Sequence, residues 1–244
     1  MCTWSYSVLP AHENLQPAFP SELAVSSDGR TLLFAGFYRY GVADPNSHLF
    51  TVPSKGGTAS QLETGNVRGA LSPKWSPDET QIAFISSEKV EPDLSAYNIF
   101  VMPSAGGEPQ RLSSPGDRVS RATIAWSPDG EVIAFYGRDN TLRIIPVNGD
   151  GSRVLVGKVG GGIPWAGIAW SPDGKQVAYT AGGDLWVVSR EGGRPTQIET
   201  GLDARHLKID WSPDGKQIAL TASKGGEPEL WLMEDFLPLV KTEQ

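Results

Sequence analysis

The chain has 244 residues, with 21 Lys and Arg against 28 Asp and Glu and a formal net charge of -7. That balance excludes the basic stripe of a general nucleic-acid binder, and no apolar run approaches the length of a membrane span. Cys2 is the only cysteine, which excludes an internal disulfide and a paired-cysteine metal site. It stands either as an incidental thiol or as a lipid-bearing residue, so it leaves the redox compartment open. The first residues, Met1-Cys2-Thr3-Trp4, lack the basic start and apolar stretch of a signal peptide. With 28 Gly, 19 Pro and 39% hydrophobic residues, the composition suits many short strands joined by tight turns.

In chain order, residues 3–9 (TWSYSVL) come first, a β-rich run with no partner of its own. A ten-residue motif then occurs five times. It reads VSSDGRTLLF from residue 25, WSPDETQIAF from 75, WSPDGEVIAF from 126, WSPDGKQVAY from 170 and WSPDGKQIAL from 211. A spacing of about 40 to 50 residues with turn chemistry inside each copy marks a repeat architecture. Each copy predicts a short apolar strand ending at the Trp, a type I turn at Ser-Pro-Asp-Gly, and a second strand: residues 32–35, 82–85, 132–136, 177–180 and 218–221. Third strands follow at 48–52, 98–102, 142–146, 184–188 and 229–233. A glycine turn and a fourth strand come next, at 59–64, 109–113, 152–156 and 195–200. Only the last repeat lacks a fourth strand, and residues 3–9 are expected to supply it. The fold class is therefore all-β: a single domain over 1–244, a five-bladed propeller of four-stranded antiparallel blades closed by the N-terminal strand.

The W-S-P-D-G-K-x-[IV]-A-[FYL] copies, followed by strand and Gly-Gly turn, resemble the PD40 or TolB-like (WD40-like) β-propeller repeats of bacterial proteins. The departures are Ser26-Ser27 for Ser-Pro, Glu79 for Gly, and Arg143 for the usual aromatic of the third strand. TolB itself carries a separate N-terminal domain and six blades, which this chain does not show. The resemblance implies a periplasmic or secreted setting. It also admits several functions, since related propellers cover the active site of prolyl-oligopeptidase-like peptidases or form oligogalacturonate-lyase-type enzymes.

Strand order places the Ser-Pro-Asp-Gly and Gly-Gly turns on one side and all long connections on the other, where a site is expected. Two long loops, residues 37–47 and 87–97, would raise a wall. Tyr38, Arg39 and Tyr40 lie in the first, either as a recognition surface or as a plug between blades. The blade-to-blade loops are expected to carry Arg68, Arg118, Arg121, Trp165, Arg205 and His206 toward the central opening. There the guanidinium groups suit a carboxylate or phosphate, or pair locally with Asp117, Asp203 or Glu63. The run at residues 157–162, with Lys158 among glycines, lacks the Lys-Ser/Thr and helix of a phosphate loop and is read as a flexible loop. The repeated Asp28, Asp78, Asp129, Asp173 and Asp214 are read as structural.

No GxSxG elbow, HExxH motif or paired-cysteine zinc pattern is present. The expected function is a non-enzymatic scaffold, monomeric and without a cofactor, recognising a protein partner or small anionic ligand on the loop-rich face. The alternatives are a metal-dependent lyase or hydrolase acting on acidic sugars, with His12, His48 and His206 as candidate ligands, or a propeller module of a larger protein.

Overall fold

Five turns built from one chemical plan organise the molecule. The computed structural model describes residues 23–36, 47–67, 69–89, 95–159, 167–202, 205–224 and 227–234. At each motif the first Ser opens the turn, and its carbonyl accepts the N–H of the residue three further on: Gly29, Glu79, Gly130, Gly174 or Gly215. The Ser hydroxyl donates to the Asp carboxylate at Ser26–Asp28, Ser76–Asp78, Ser127–Asp129, Ser171–Asp173 and Ser212–Asp214. The same hydroxyl accepts the N–H five residues on, from Thr31, Gln81, Val132, Gln176 and Gln217. The carboxylate also accepts the N–H two residues ahead of it. The turn's polar atoms are thus satisfied internally, and the fourth residue must take positive φ, which glycine adopts without strain.

Antiparallel meanders follow from these turns. The first holds β1 (Leu23–Val25), β2 (Thr31–Gly36), β3 (His48–Pro53) and β4 (Ser60–Gln61). The second holds β5 (Ala70–Trp75), β6 (Gln81–Lys89), β7 (Ser95–Pro103) and β8 (Gln110–Arg111). After a single 3-10 turn at Pro115–Asp117 come β9 (Val119–Trp126), β10 (Val132–Gly137), β11 (Leu142–Pro146) and β12 (Arg153–Val156). The fourth meander is β13 (Ile168–Trp170), β14 (Gln176–Ala181), β15 (Asp184–Ser189) and β16 (Thr196–Ile198). The fifth is β17 (Arg205–Trp211), β18 (Gln217–Lys224) and β19 (Glu227–Glu234). The predicted second and third strands are all present. The fourth strands are shorter than predicted because they pair on one side only. The expected closing strand at residues 3–9 lies outside the described residues.

The chain divides into two compact units, Met1–Arg111 and Leu112–Gln244. In the first, Leu33, Leu49, Ile82, Phe84, Phe100 and Met102 share one core between two meanders. Phe34 stacks on Phe50 and Phe84 on Phe100, at centroid distances of 5.6 and 5.7 Å, each a cross-strand pair in register. In the second unit, Tyr136, Leu142, Ile144, Trp170, Val177 and Tyr179 join the third and fourth meanders. Leu185, Val187, Ile209, Trp211 and Ile218 join the fourth and fifth. Trp170 is a wedge between the third and fourth meanders. Its indole N–H donates to the Ala125 carbonyl at 3.1 Å and Arg190 lies over its ring.

Both kinds of turn sit at the same end of their meander. In the first four meanders the residue after the third strand donates its N–H to the carbonyl of the residue after the motif's fourth position: Ser54 to Arg30, Ser104 to Thr80, Val147 to Glu131 and Arg190 to Lys175. The opposite ends vary. β10–β11 turn back through residues 138–141, and β14–β15 through Gly182 and Gly183, both at positive φ. β6 and β7 instead run on as a ribbon to the pair Lys89↔Ser95. The loop expected over residues 87–97 is therefore mostly paired strand, leaving 90–94 outside the description.

Candidate functional site: a cationic rim on the third meander

The third meander is where the repeat departs from its own pattern. Opposite Phe135, where the first two meanders place a stacked Phe, stands Arg143. A guanidinium cannot sit half-buried without partners, and the surrounding loops supply them. Its Nη2 donates to Asp139 Oδ2 at 3.1 Å, its Nε to Thr141 Oγ1 at 2.9 Å, and its Nη1 to Ser152 Oγ at 3.3 Å. Nη1 also lies 4.0 Å from the buried Asp117 carboxylate. Asp117 in turn accepts the Ser114 N–H at 2.6 Å and the hydroxyls of Ser114 and Ser152. Burial opposes ionisation of Asp139, but Thr141 and Arg143 outweigh it and hold the carboxyl below the usual range.

This network fixes the lead-in to β9. Arg118 follows Asp117 directly, in the left-handed region at φ 48. Its carbonyl accepts the Arg138 N–H at 2.6 Å, and the Asn140 carbonyl accepts the Val159 N–H at 2.6 Å. Backbone bonds therefore bring residues 118, 138–140 and 158–159 to one end of the meander. Among the described residues five non-glycine residues have positive φ: Ser72, Glu79, Arg118, Asn140 and Lys158. Three of them meet here.

Arg118, Arg121, Arg138 and Lys158 are all exposed. The pairing of β9 with β10 steps from Phe135↔Ile124 to Gly137↔Val119, so residues 120–123 form a bulge that carries Arg121. Arg118, Arg121 and Lys158 make no side-chain hydrogen bond or ion pair among the described residues. Asp117, next to Arg118 in the chain, and Asp139, next to Arg138, are both engaged by Arg143.

Of the sequence-predicted site, the structure places five residues: Arg118 directly before β9, together with Arg121, Arg205, His206 and His48. Arg121 lies in β9 and Arg205 and His206 open β17, not in connecting loops as expected. These inner strands begin early because bulges carry them past breaks in alternation; in β17 the register shifts between His206 and Lys208. His48 begins β3, half-buried and paired with Gly36. Tyr38, Arg39, Tyr40, Arg68, Trp165 and His12 lie outside the described residues. Among the described residues no three His, Cys, Asp or Glu side chains form a metal-holding group, and no helix is long and apolar enough to cross a membrane. The five motif aspartates are placed as structural residues, as expected. Sequence reasoning missed Arg138 as a rim residue and dismissed Lys158; their signal was a cation opening the β10–β11 turn and another two residues past β12.

Meanders of this kind, repeated and packed face to face through a tryptophan wedge, define a β-propeller. No family model matches the chain. A stretch of 87 residues is 33% identical to the uncharacterized peptidase YuxL of Bacillus subtilis (strain 168), covering 36% of this chain and 12% of that protein. Among solved structures, a protein of Agrobacterium tumefaciens assigned as a TolB aligns with a TM-score of 0.71 at 19% identity, over 90% of this chain and 78% of that one. A chain of the nidogen/laminin complex aligns at 0.67 and 13% identity, over 88% and 75%. TolB from Acinetobacter baumannii aligns at 0.62 and 20% identity, over 79% of this chain and 48% of that chain. The chain has a TolB-like β-propeller fold.

Proposed function

We propose that the chain is a non-enzymatic propeller scaffold: a five-bladed ring, sealed by residues 3–9 beside β19, that recognises a protein partner or small anionic ligand on its loop-bearing face. The observation that carries this reading is the contrast between the two ends of the meanders. At the turn end the repeated Ser and Asp groups satisfy one another. The other end carries the long β6–β7 ribbon and the exposed arginines of the third meander. Tight, self-satisfied turns serve the scaffold, and variable loops are free to serve a ligand. That a chain of the nidogen/laminin complex shares the fold is compatible with protein recognition.

Replacing Tyr38, Arg39 and Tyr40 together with alanine tests the reading. Capture of a partner isolated with the wild-type chain is expected to fall while the melting temperature holds. Undiminished capture would remove the wall from the site.

A second reading draws on the 87-residue match to a peptidase. In it the chain is a propeller module that screens access to a catalytic domain. Reading the complete coding frame decides between the two: a hydrolase domain in the same frame favours the module.

A further inference from the structure

We infer that the rim formed by Arg118, Arg121 and Lys158 is a docking edge for an extended acidic segment of a partner protein, with carboxylates at alternate residues. This deepens the loop-face reading and rests on it.

Three observations lead there. The first is backbone strain at two exposed cations. Arg118 and Lys158 hold φ of 48 and 51, where a non-glycine residue costs about 1 kcal/mol or more. Glycine or asparagine would adopt that backbone more easily, yet both positions carry an exposed cation with no side-chain partner among the described residues. Strain retained at exposed, unpartnered charges points to use by a ligand.

The second is the disposal of acid. In a chain of net charge -7, Arg143 draws in Asp117 by proximity and Asp139 by hydrogen bond. The exposed cations are left to face solvent.

The third is dimension. Arg118 leads into β9 and Lys158 follows β12, three interstrand steps away, or about 14 Å. A single carboxylate or phosphate would meet both ends only with both side chains stretched inward at full length, at the entropic cost of fixing them. An extended peptide rises about 3.3 Å per residue and turns alternate side chains to one face, so acidic residues at i, i+2 and i+4 cover about 13 Å. The acidic balance elsewhere disfavours nucleic acid, which needs a longer basic track.

The test is fluorescence anisotropy with a labelled peptide of alternating Glu and Gly, against the same peptide with Gln for Glu. The variant carries Arg118→Asn, Arg121→Gln and Lys158→Asn, asparagine being chosen because it tolerates the left-handed region. The wild-type chain should bind the Glu peptide, with affinity falling as salt rises, and should ignore the Gln peptide. The variant should bind about tenfold or more weakly, with a melting temperature equal to or above wild type. A merely structural role would lower that temperature. The charge-keeping pair Arg118→Lys and Lys158→Arg should retain binding.

No binding of the Glu peptide, equal binding of the Gln peptide, equal binding by the variant, or displacement by succinate at the concentration of free peptide that displaces it would each overturn the inference. Preference for a single-stranded oligonucleotide over the Glu peptide would do the same. If binding is lost in the Tyr38/Arg39/Tyr40 variant and kept in the rim variant, the inference fails while the loop-face reading stands. If neither variant changes it, both fail.

Discussion

Ser27 and Glu79 are the two places where the motif's turn departs from its own sequence, and they meet. Four repeats carry Pro at the second turn position, which has no N–H. Ser27 has one, and it donates to Glu79 Oε1 in the neighbouring turn. In the fourth and fifth repeats the same two positions touch without a bond: a Cβ added to Gly174 would lie 3.7 Å from Pro128 Cδ, and one on Gly215 3.8 Å from Pro172 Cδ. The departures therefore compensate each other. Ser27→Pro removes the donor but stiffens the unfolded chain, a gain of about 0.4–1 kcal/mol where the conformation suits proline. Glu79→Gly removes the acceptor but relieves φ 57, a net gain of about 0.5–1 kcal/mol after glycine's extra entropy is counted. The shared hydrogen bond contributes about 1 kcal/mol. Each single change should thus fall near zero or slightly destabilise. The double change loses the bond once and keeps both gains, so it should exceed the sum of the singles by about 1 kcal/mol. Urea unfolding of the four proteins reads this, with thermal melting as a check at about 2–4 °C per kcal/mol. Additivity within about 0.3 kcal/mol would refute the coupling.

Acid should loosen all five turns together. The Ser hydroxyls and turn N–H groups hold Asp28, Asp78, Asp173 and Asp214 below the usual aspartate range. For Asp129 burial opposes, and Ser127, Arg190 and the Glu131 N–H outweigh it. Because the folded values are depressed, this stability is whole above the unfolded value of about 3.9 and drains as pH falls through the folded values. Urea midpoints should be flat from neutrality to about pH 5 and drop below about pH 4, a profile that fails if midpoints hold steady to pH 2. Gly167→Ala should destabilise by about 1–3 kcal/mol, since the new Cβ would lie 2.8 Å from the backbone nitrogen of Ile209. Differential scanning calorimetry checks it, and an unchanged melting temperature would mean that β17 yields.

The central hairpins of every meander were legible because alternation and the Ser-Pro-Asp-Gly turn announce them twice over. The ribbon at the far end of β6 and β7 was not. Its residues, Ser-Ser-Glu-Lys on one strand, carry no apolar side chain, and without apolar alternation there is no period to read. Arg143 was visible as an odd residue in a strand of aromatics. Its partners were hidden, because Asp117 and Ser152 approach it from separate loops and no local spacing joins them. Lys158 looked like loop filler among glycines until backbone bonds set it beside Asn140. Arg121 was placed in a loop because a bulge erases the two-residue rhythm that marks a strand.

The motif aspartate of the third repeat answers to two masters. Asp129 closes its own turn and also receives Arg190 Nη1, which belongs to the next repeat and rests against that repeat's Trp170. A duplicated copy bearing such an arginine would arrive with the donor for its predecessor and the acceptor for its successor already in place. Whole copies can then be gained or shed at such a junction without inventing new chemistry there, whereas a half-copy would strand a charge at the seam.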